Sequence, residues 1–287
     1  MTGPLAVVAA ALVAAAAPAA NPTPVSALAL ELPEMHHPHV RRIAELRLAP
    51  AAGQAGAKRR LPPLQLRRRC VTQTERKRIV RFEASDRTRL IGVLFGAGPK
   101  GVVLAHQGGG GAPGNLCAWV PYARILAGRG YRVLVFDHRG RGSSGSARTV
   151  PALQRVDLDV VAAVSVLRKR GVRSVVLGGA SLGGTAVLVA GTRIRPFVQG
   201  VVSFSAPQQF VRVDAAREVP KLTVPVLYVA ATGDEPFADE ARALYEATAS
   251  SDRQLAIFEG TAHGAPMLRD PGVRSLVDDW IASHSAL

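Results

Sequence analysis

Aromatic residues are scarce in this sequence, at 5% of 287 positions, and none precedes Phe82. A core built with so few rings must be filled by Val, Leu, Ala and Ile. That suits a buried parallel sheet, whose strands read as continuous aliphatic runs. Acidic residues are also in deficit: 21 Asp and Glu face 36 Lys and Arg, a net charge of +15. The imbalance is uneven, because residues 1–81 hold 13 basic against 4 acidic residues. It gathers in Lys58-Arg59-Arg60, Arg67-Arg68-Arg69 and Arg76-Lys77-Arg78. Such clusters attract nucleic acids or anionic surfaces. Without an aromatic residue to stack on a base, nucleic acid is not the expected partner. The reading is a solvated basic linker, able to associate electrostatically with an anionic envelope.

Cysteine is nearly absent. Cys70 and Cys117 lack the spacing of a metal site. They could form one bridge or be two unrelated buried thiols, and the sequence leaves both open. Long apolar runs are missing except at residues 5–20, which are Ala-rich and short for a membrane span. That run resembles a signal-peptide h-region with an A-x-A-like site near Ala17-Pro18-Ala19, although no Lys or Arg precedes it. The expectation is export to the extracellular space or cell envelope, with a cytoplasmic protein carrying an unstructured N-terminus as the alternative.

Residues 21–76 are rich in Pro, Gly, Ala and Arg without apolar periodicity, and read as a linker and arm. A short helix near residues 39–48 is allowed. His36, His37 and His39 are broken by Pro38 and read as a solvated loop rather than a metal tract. From residue 77 to 287 the pattern changes to one domain. Residues 78–83 and 89–95 predict a hairpin. Strands are then predicted at 101–105, 131–136, 174–178, 198–204, 223–230 and 254–258. Helices are predicted at 119–129, 153–169, 182–192, 237–248 and 273–283. This alternation specifies an α/β fold, a mostly parallel sheet covered by helices on both faces.

Gly179-Ala180-Ser181-Leu182-Gly183 fits G-x-S-x-G, a weak pattern in isolation. Its setting is informative, since it follows a predicted strand and opens a predicted helix. A sharp turn there lifts the Ser hydroxyl clear of the backbone, and the flanking glycines remove obstructing side chains. The helix N-terminus offers free N–H groups to a developing oxyanion. The competing reading is an ordinary Ser N-cap.

Three further motifs accompany it. These are Leu104-Ala105-His106-Gln107-Gly108-Gly109-Gly110, the run from Phe136-Asp137-His138-Arg139-Gly140 through Gly145, and the pair Gly233-Asp234 with Ala262-His263-Gly264. Together, over residues 78–285, they resemble the α/β-hydrolase superfamily in its nucleophile elbow, oxyanion loop, D-x-R-G-x-G-x-S turn, and acid and base positions. The resemblance implies a serine hydrolase with Ser181 as nucleophile, His263 as base and Asp234 as the acid that orients it. Backbone N–H groups of Leu182 and Gln107 would form the oxyanion hole, with Gly108 an alternative to Gln107. A carboxylic ester is the implied substrate, with thioesters and amides also admitted; no metal or organic cofactor is implied. The sequence departs from the family in three places. Gln107 stands where the family loop usually has Gly, only 17 residues span 206–222 where relatives often carry a cap, and the arm has no counterpart.

Each residue has rivals. Glu235 or Asp239 could replace Asp234, and His284 could replace His263. His106 is expected to be structural, Asp137 and Arg139 to brace the loop after the fourth strand, and Asp157 and Asp159 to lie on a solvated helix start. A different class of protein is suggested by Gly109-Gly110-Gly111-Ala112-Pro113-Gly114. It fits a dinucleotide fingerprint, with Asp137 at the distance of a ribose ligand. Pro113 and the late helix start oppose that reading. A non-catalytic binding protein of the same fold is the third possibility.

Overall fold

The computed structural model describes residues 62–66, 68–108, 114–146 and 153–286. The signal-like run, most of the arm, its three histidines and residues 109–113 of the glycine loop lie outside them. An eight-stranded sheet forms the centre, in the order β1-β2-β4-β3-β5-β6-β9-β10. Its strands are β1 (Ile79–Glu83), β2 (Arg89–Phe95), β3 (Lys100–Ala105), β4 (Tyr131–Asp137), β5 (Ser174–Ala180), β6 (Gly200–Phe204), β9 (Val226–Ala231) and β10 (Arg253–Phe258). β1 and β2 pair antiparallel, β2 meets β4 antiparallel, and all other neighbours run parallel.

Alternation explains the layers. Along β5, Val175 and Leu177 enter one core while Val176 enters the other; along β4, Leu134 and Phe136 face the first, Val133 and Val135 the second. Side chains two apart share a face, so one aliphatic strand feeds both cores. The first core is closed by α3 (Val156–Arg168) and α4 (Leu182–Arg193). The second is closed by α2 (Val120–Gly128) and α7 (Pro271–His284). Each fully buried Val or Leu contributes roughly 1.5–3 kcal/mol, so the aliphatic strands substitute for the missing aromatics. α6 (Phe237–Ala247) flanks β9 and β10. On the α2–α7 side, Tyr122 donates to Asp278 at 2.8 Å and Arg129 pairs with the same carboxylate at 2.7 Å, fastening the two helices together.

The last part of the arm packs onto the domain. Leu66 and Val71 are buried in the second core. Cys70 and Cys117 form a disulfide, which resolves the pairing left open above. The short helix α1 (Gln73–Arg76) starts in a capping box of Thr72 and Glu75. Glu75 also receives two bonds from Arg124 of α2, at 2.8 and 2.9 Å.

The connection between β6 and β9 contains a two-residue hairpin, β7 (Gln209–Phe210) with β8 (Val213–Asp214), and the short helix α5 (Ala215–Glu218). None of the three was foreseen, because runs this short carry no periodicity. Val213, Ala215 and Val219 are buried in the first core, so this segment seals the domain and builds no cap.

One expectation is corrected here. Asp157 and Asp159 do not lie on a solvated helix start; they are 1% and 0% exposed. Asp159 holds Arg139 through the backbone N–H at 2.9 Å and the guanidinium at 2.7 and 2.8 Å. Asp157 pairs with Arg155 and Arg193. The charges are buried because guanidinium groups neutralise them, and those of Arg139 and Arg193 come from other segments, which local sequence does not reveal.

Candidate active site

Ser181 sits between the last residue of β5 and the first of α4, at φ 50° and ψ −121°. A non-glycine residue in that region is strained, and such strain persists only where the surroundings enforce it. Ser181 N–H donates to Phe204 C=O at 2.8 Å, which anchors the turn to β6. The hydroxyl makes no capping bond to α4, which removes the N-cap reading and leaves the side chain free for other partners.

The glycines of the motif answer to close packing. A Cβ on Gly183 would lie 2.1 Å from Ala105 C=O, and one on Gly179 would lie 2.2 Å from Gly183 C=O. The elbow is therefore pressed against the end of β3, where His106, Gln107 and Gly108 begin the next loop. A Cβ on Gly108 would touch the Leu182 side chain at 3.2 Å, so this loop lies directly beside the start of α4.

His263 follows β10, on the same carboxyl edge of the sheet. Its Nδ1 lies 3.0 and 2.9 Å from the two Asp234 carboxylate oxygens. Asp234 is buried and His263 about one-fifth exposed. A carboxylate on Nδ1 keeps the proton there and leaves Nε2 as the free basic atom. Phe237 packs its ring 4.4 Å from the imidazole, a neighbour that sequence reading treated only as a helix start. The rivals are engaged elsewhere. Asp239 pairs with Arg242, Glu235 is exposed, and His284 bonds Asp252 beyond the opposite edge of the sheet.

Three segments pin the loop carrying His263. Gly264 N–H donates to Ser205 Oγ at 3.1 Å, and Ala265 N–H donates to Gln107 Oε1 at 3.3 Å. A Cβ on Gly264 would lie 2.8 Å from Gln107 Oε1 and 3.1 Å from Ala180 Cβ. The loop carrying His263 thus rests against the residue before Ser181, with the Gln107 amide beside both. Gln107 is fully buried, and its Nε2 has no partner. The structure places the Gln107 side chain where the sequence singled out only its backbone. Ser205 was not anticipated; it is buried at φ 45°, next to the elbow.

Behind this loop lie two buried histidines. His106 Nε2 accepts from His138 N–H at 3.0 Å, so its proton must be on Nδ1, which donates to Gln107 C=O at 2.6 Å. Burial holds the His106 pKa well below its usual value, so the ring is neutral and structural. Asp137 accepts from Leu116 N–H at 2.8 Å and Ser143 N–H at 2.7 Å, one bond on each oxygen. Burial raises its pKa. A fully buried carboxylate with both oxygens bonded to backbone cannot bind a ribose, so the dinucleotide reading loses its acid. Asp137 and Arg139 brace the loop after β4, as expected.

A parallel sheet with an antiparallel first hairpin, a strained serine elbow after the fifth strand and an Asp–His pair after the last two define the α/β-hydrolase architecture. Residues 97–215 match the family model described as serine aminopeptidase, S33. The fold resembles a Paleococcus ferrophilus monoacylglycerol lipase at 20% identity and a TM-score of 0.57, covering 68% of this chain and 99% of that one. A Pyrococcus furiosus esterase aligns at 16% identity and a TM-score of 0.63, covering 81% and 100%. An esterase domain from Rhodothermus marinus aligns at 21% and 0.57, covering 72% and 98%. No curated protein matches the sequence. The likeness to these solved structures shows an α/β-hydrolase fold, and the family match lies within residues 97–215.

Proposed function

We propose that this protein is a serine hydrolase that cleaves a carboxylic ester through an acyl-enzyme on Ser181. The observation that carries this reading is a strained serine, free of any capping bond, on the sheet edge that also holds the bonded His263–Asp234 pair. Ser181 Oγ attacks the ester carbonyl carbon while His263 Nε2 takes its proton. The Leu182 and Gln107 backbone N–H groups receive the negative charge on the carbonyl oxygen. The C–O bond to the alcohol then breaks, and His263 returns the proton to the departing oxygen. Water, deprotonated by His263, releases the acid and restores Ser181. Asp234 keeps the tautomer and stabilises the imidazolium throughout.

An ester is preferred to a peptide with a free amino terminus. The esterases and lipase of like fold point that way. Export is also proposed: the Cys70–Cys117 bridge suits an oxidising compartment, and residues 5–20 would be the leader. There the basic arm would associate with an anionic envelope. N-terminal sequencing of secreted protein tests cleavage of the leader.

A fluorophosphonate probe tests the mechanism without knowledge of the substrate. The expected result is a single adduct on Ser181, lost in His263→Ala. Ser181→Ala should lower ester turnover by roughly 10³-fold or more; full activity in that variant overturns the proposal.

A further inference from the structure

Beside the base loop, between α2 and the turn that leads into α7, lies a cavity of about 380 Å³. That volume lies within the range of small-molecule sites. One wall is Ala265-Pro266 with Leu268, directly after His263-Gly264; the other is Pro121 and Ile125 of α2. Ile125 is 37% exposed, one of three large apolar side chains left open to solvent among the described residues. Ala265 links the cavity to the reacting edge, because its N–H is held by Gln107 and its neighbour Gly264 packs against Ala180.

Charge sets this cavity apart. Arg269 and Arg274 line it, and no Asp or Glu does. The acids near it are engaged. Asp270 caps α7 through Gly272 N–H and Val273 N–H, and Asp278 is taken by Tyr122 and Arg129. Elsewhere on the molecule, a cavity of about 350 Å³ also gathers arginines, but Asp157, Asp214 and Glu218 stand among them. An apolar lining that carries two guanidiniums and no acid is complementary to an apolar chain that bears an anion.

We propose that this cavity binds the part of the substrate remote from the scissile bond, and that this part is an alkyl chain bearing a carboxylate. The inference rests on the serine-hydrolase reading and names its substrate class: half-esters of aliphatic dicarboxylic acids. The chain lies on Pro121, Ile125, Pro266 and Leu268, and Arg269 and Arg274 receive the carboxylate. Both arginines determine specificity and take no part in bond breaking.

The test compares mono-4-nitrophenyl esters of adipic, suberic and sebacic acids with neutral 4-nitrophenyl esters of equal chain length. These diacids are long enough to limit attack by their own carboxylate. The wild-type protein should favour the best half-ester over its neutral counterpart by about tenfold or more in kcat/KM, chiefly through KM, and added salt should shrink the preference. In Arg269→Gln/Arg274→Gln the preference should fall to parity while turnover of the neutral esters is unchanged. Calorimetric binding of octanoate gives a second readout that needs no hydrolysis: measurable for wild type, lost in the double variant. Two outcomes overturn the proposal: neutral esters cleaved as well as half-esters by wild type, or a preference that survives in the double variant. Absence of octanoate binding overturns it even where no ester is cleaved. Failure of the enzymatic reading itself is recognised separately, as no fluorophosphonate adduct on Ser181.

Discussion

Gln107 is buried with only half of its side-chain amide satisfied. Its Oε1 holds Ala265 N–H, while Nε2 finds no partner. An unpaired buried donor costs about 1–3 kcal/mol, and the amide joins the loop after β3 to the loop carrying His263. Gln107→Leu keeps the volume and removes the acceptor, leaving Ala265 N–H unpaired as well. Turnover of a 4-nitrophenyl ester is expected to fall by roughly 10–100-fold, an amount set by loss of one hydrogen bond and misplacement of the base. Gln107→Glu retains the acceptor and should keep more activity than Gln107→Leu. Equal loss in both variants would show that the bond to Ala265 is not what matters. The sequence marked position 107 as unusual for its motif, but nothing local could show that its side chain crosses to a loop 158 residues away.

The element with most to lose is α1 together with the stretch before it. The disulfide, the burial of Leu66 and Val71, the Glu75–Arg124 pair, and bonds from Arg124 to Cys70 C=O and Arg81 to Leu64 C=O hold this element. The bridge closes a separation of 47 residues. On the chain-entropy account, replacing both cysteines by serine should cost about 4 kcal/mol, read as a lower urea midpoint with kcat little changed. Arg124 holds the Glu75 carboxyl down at about 2, against an ordinary 4.5. A depressed acid stabilises the fold above its unfolded pKa and loses that contribution as pH falls through the folded one. The attachment of α1 should therefore weaken between about pH 4.5 and 2, seen as lower amide protection at residues 73–76 relative to the intrinsic exchange rate at each pH; Glu75→Gln should abolish that pH dependence. In the sequence this element was read as arm. Four helical residues are too few for a periodicity, and the partners that hold them come from α2.

For the molecule as a whole, His106 sets a limit at mildly acid pH. Folded, it is neutral, because burial depresses its pKa well below 6.5. The unfolded chain takes up a proton near pH 6.5 and the folded chain does not. The stability His106 contributes is thus complete above about pH 6.5 and is lost as pH falls below it. The melting temperature should begin to drop there, before the carboxylates titrate, and the early part of the drop should vanish in His106→Gln if that variant folds. An unchanged early phase would place its origin elsewhere.

At this scale the order of strands and helices was readable without coordinates. Val175-Val176-Leu177 and Val133-Leu134-Val135 are aliphatic without interruption, glycines and prolines punctuate them, and the Ser181 motif stands between a strand and a helix. These signals are local and redundant, so the α/β architecture could be read from residue type, order and context, which also single out Ser181, Asp234 and His263 as candidates. What required the tertiary structure is everything decided by groups far apart in the chain. Asp159 is buried because the Arg139 guanidinium reaches it. Cys70 pairs with Cys117 because α1 docks on α2, and Gln107 matters through Ala265. The cavity beside the base loop exists because α2 and α7 are fastened by Tyr122, Asp278 and Arg129. Local sequence encodes backbone preference and the face a side chain takes. Whether a charge is neutralised, a thiol is paired or a wall meets another wall depends on separations in space that no sequence window contains.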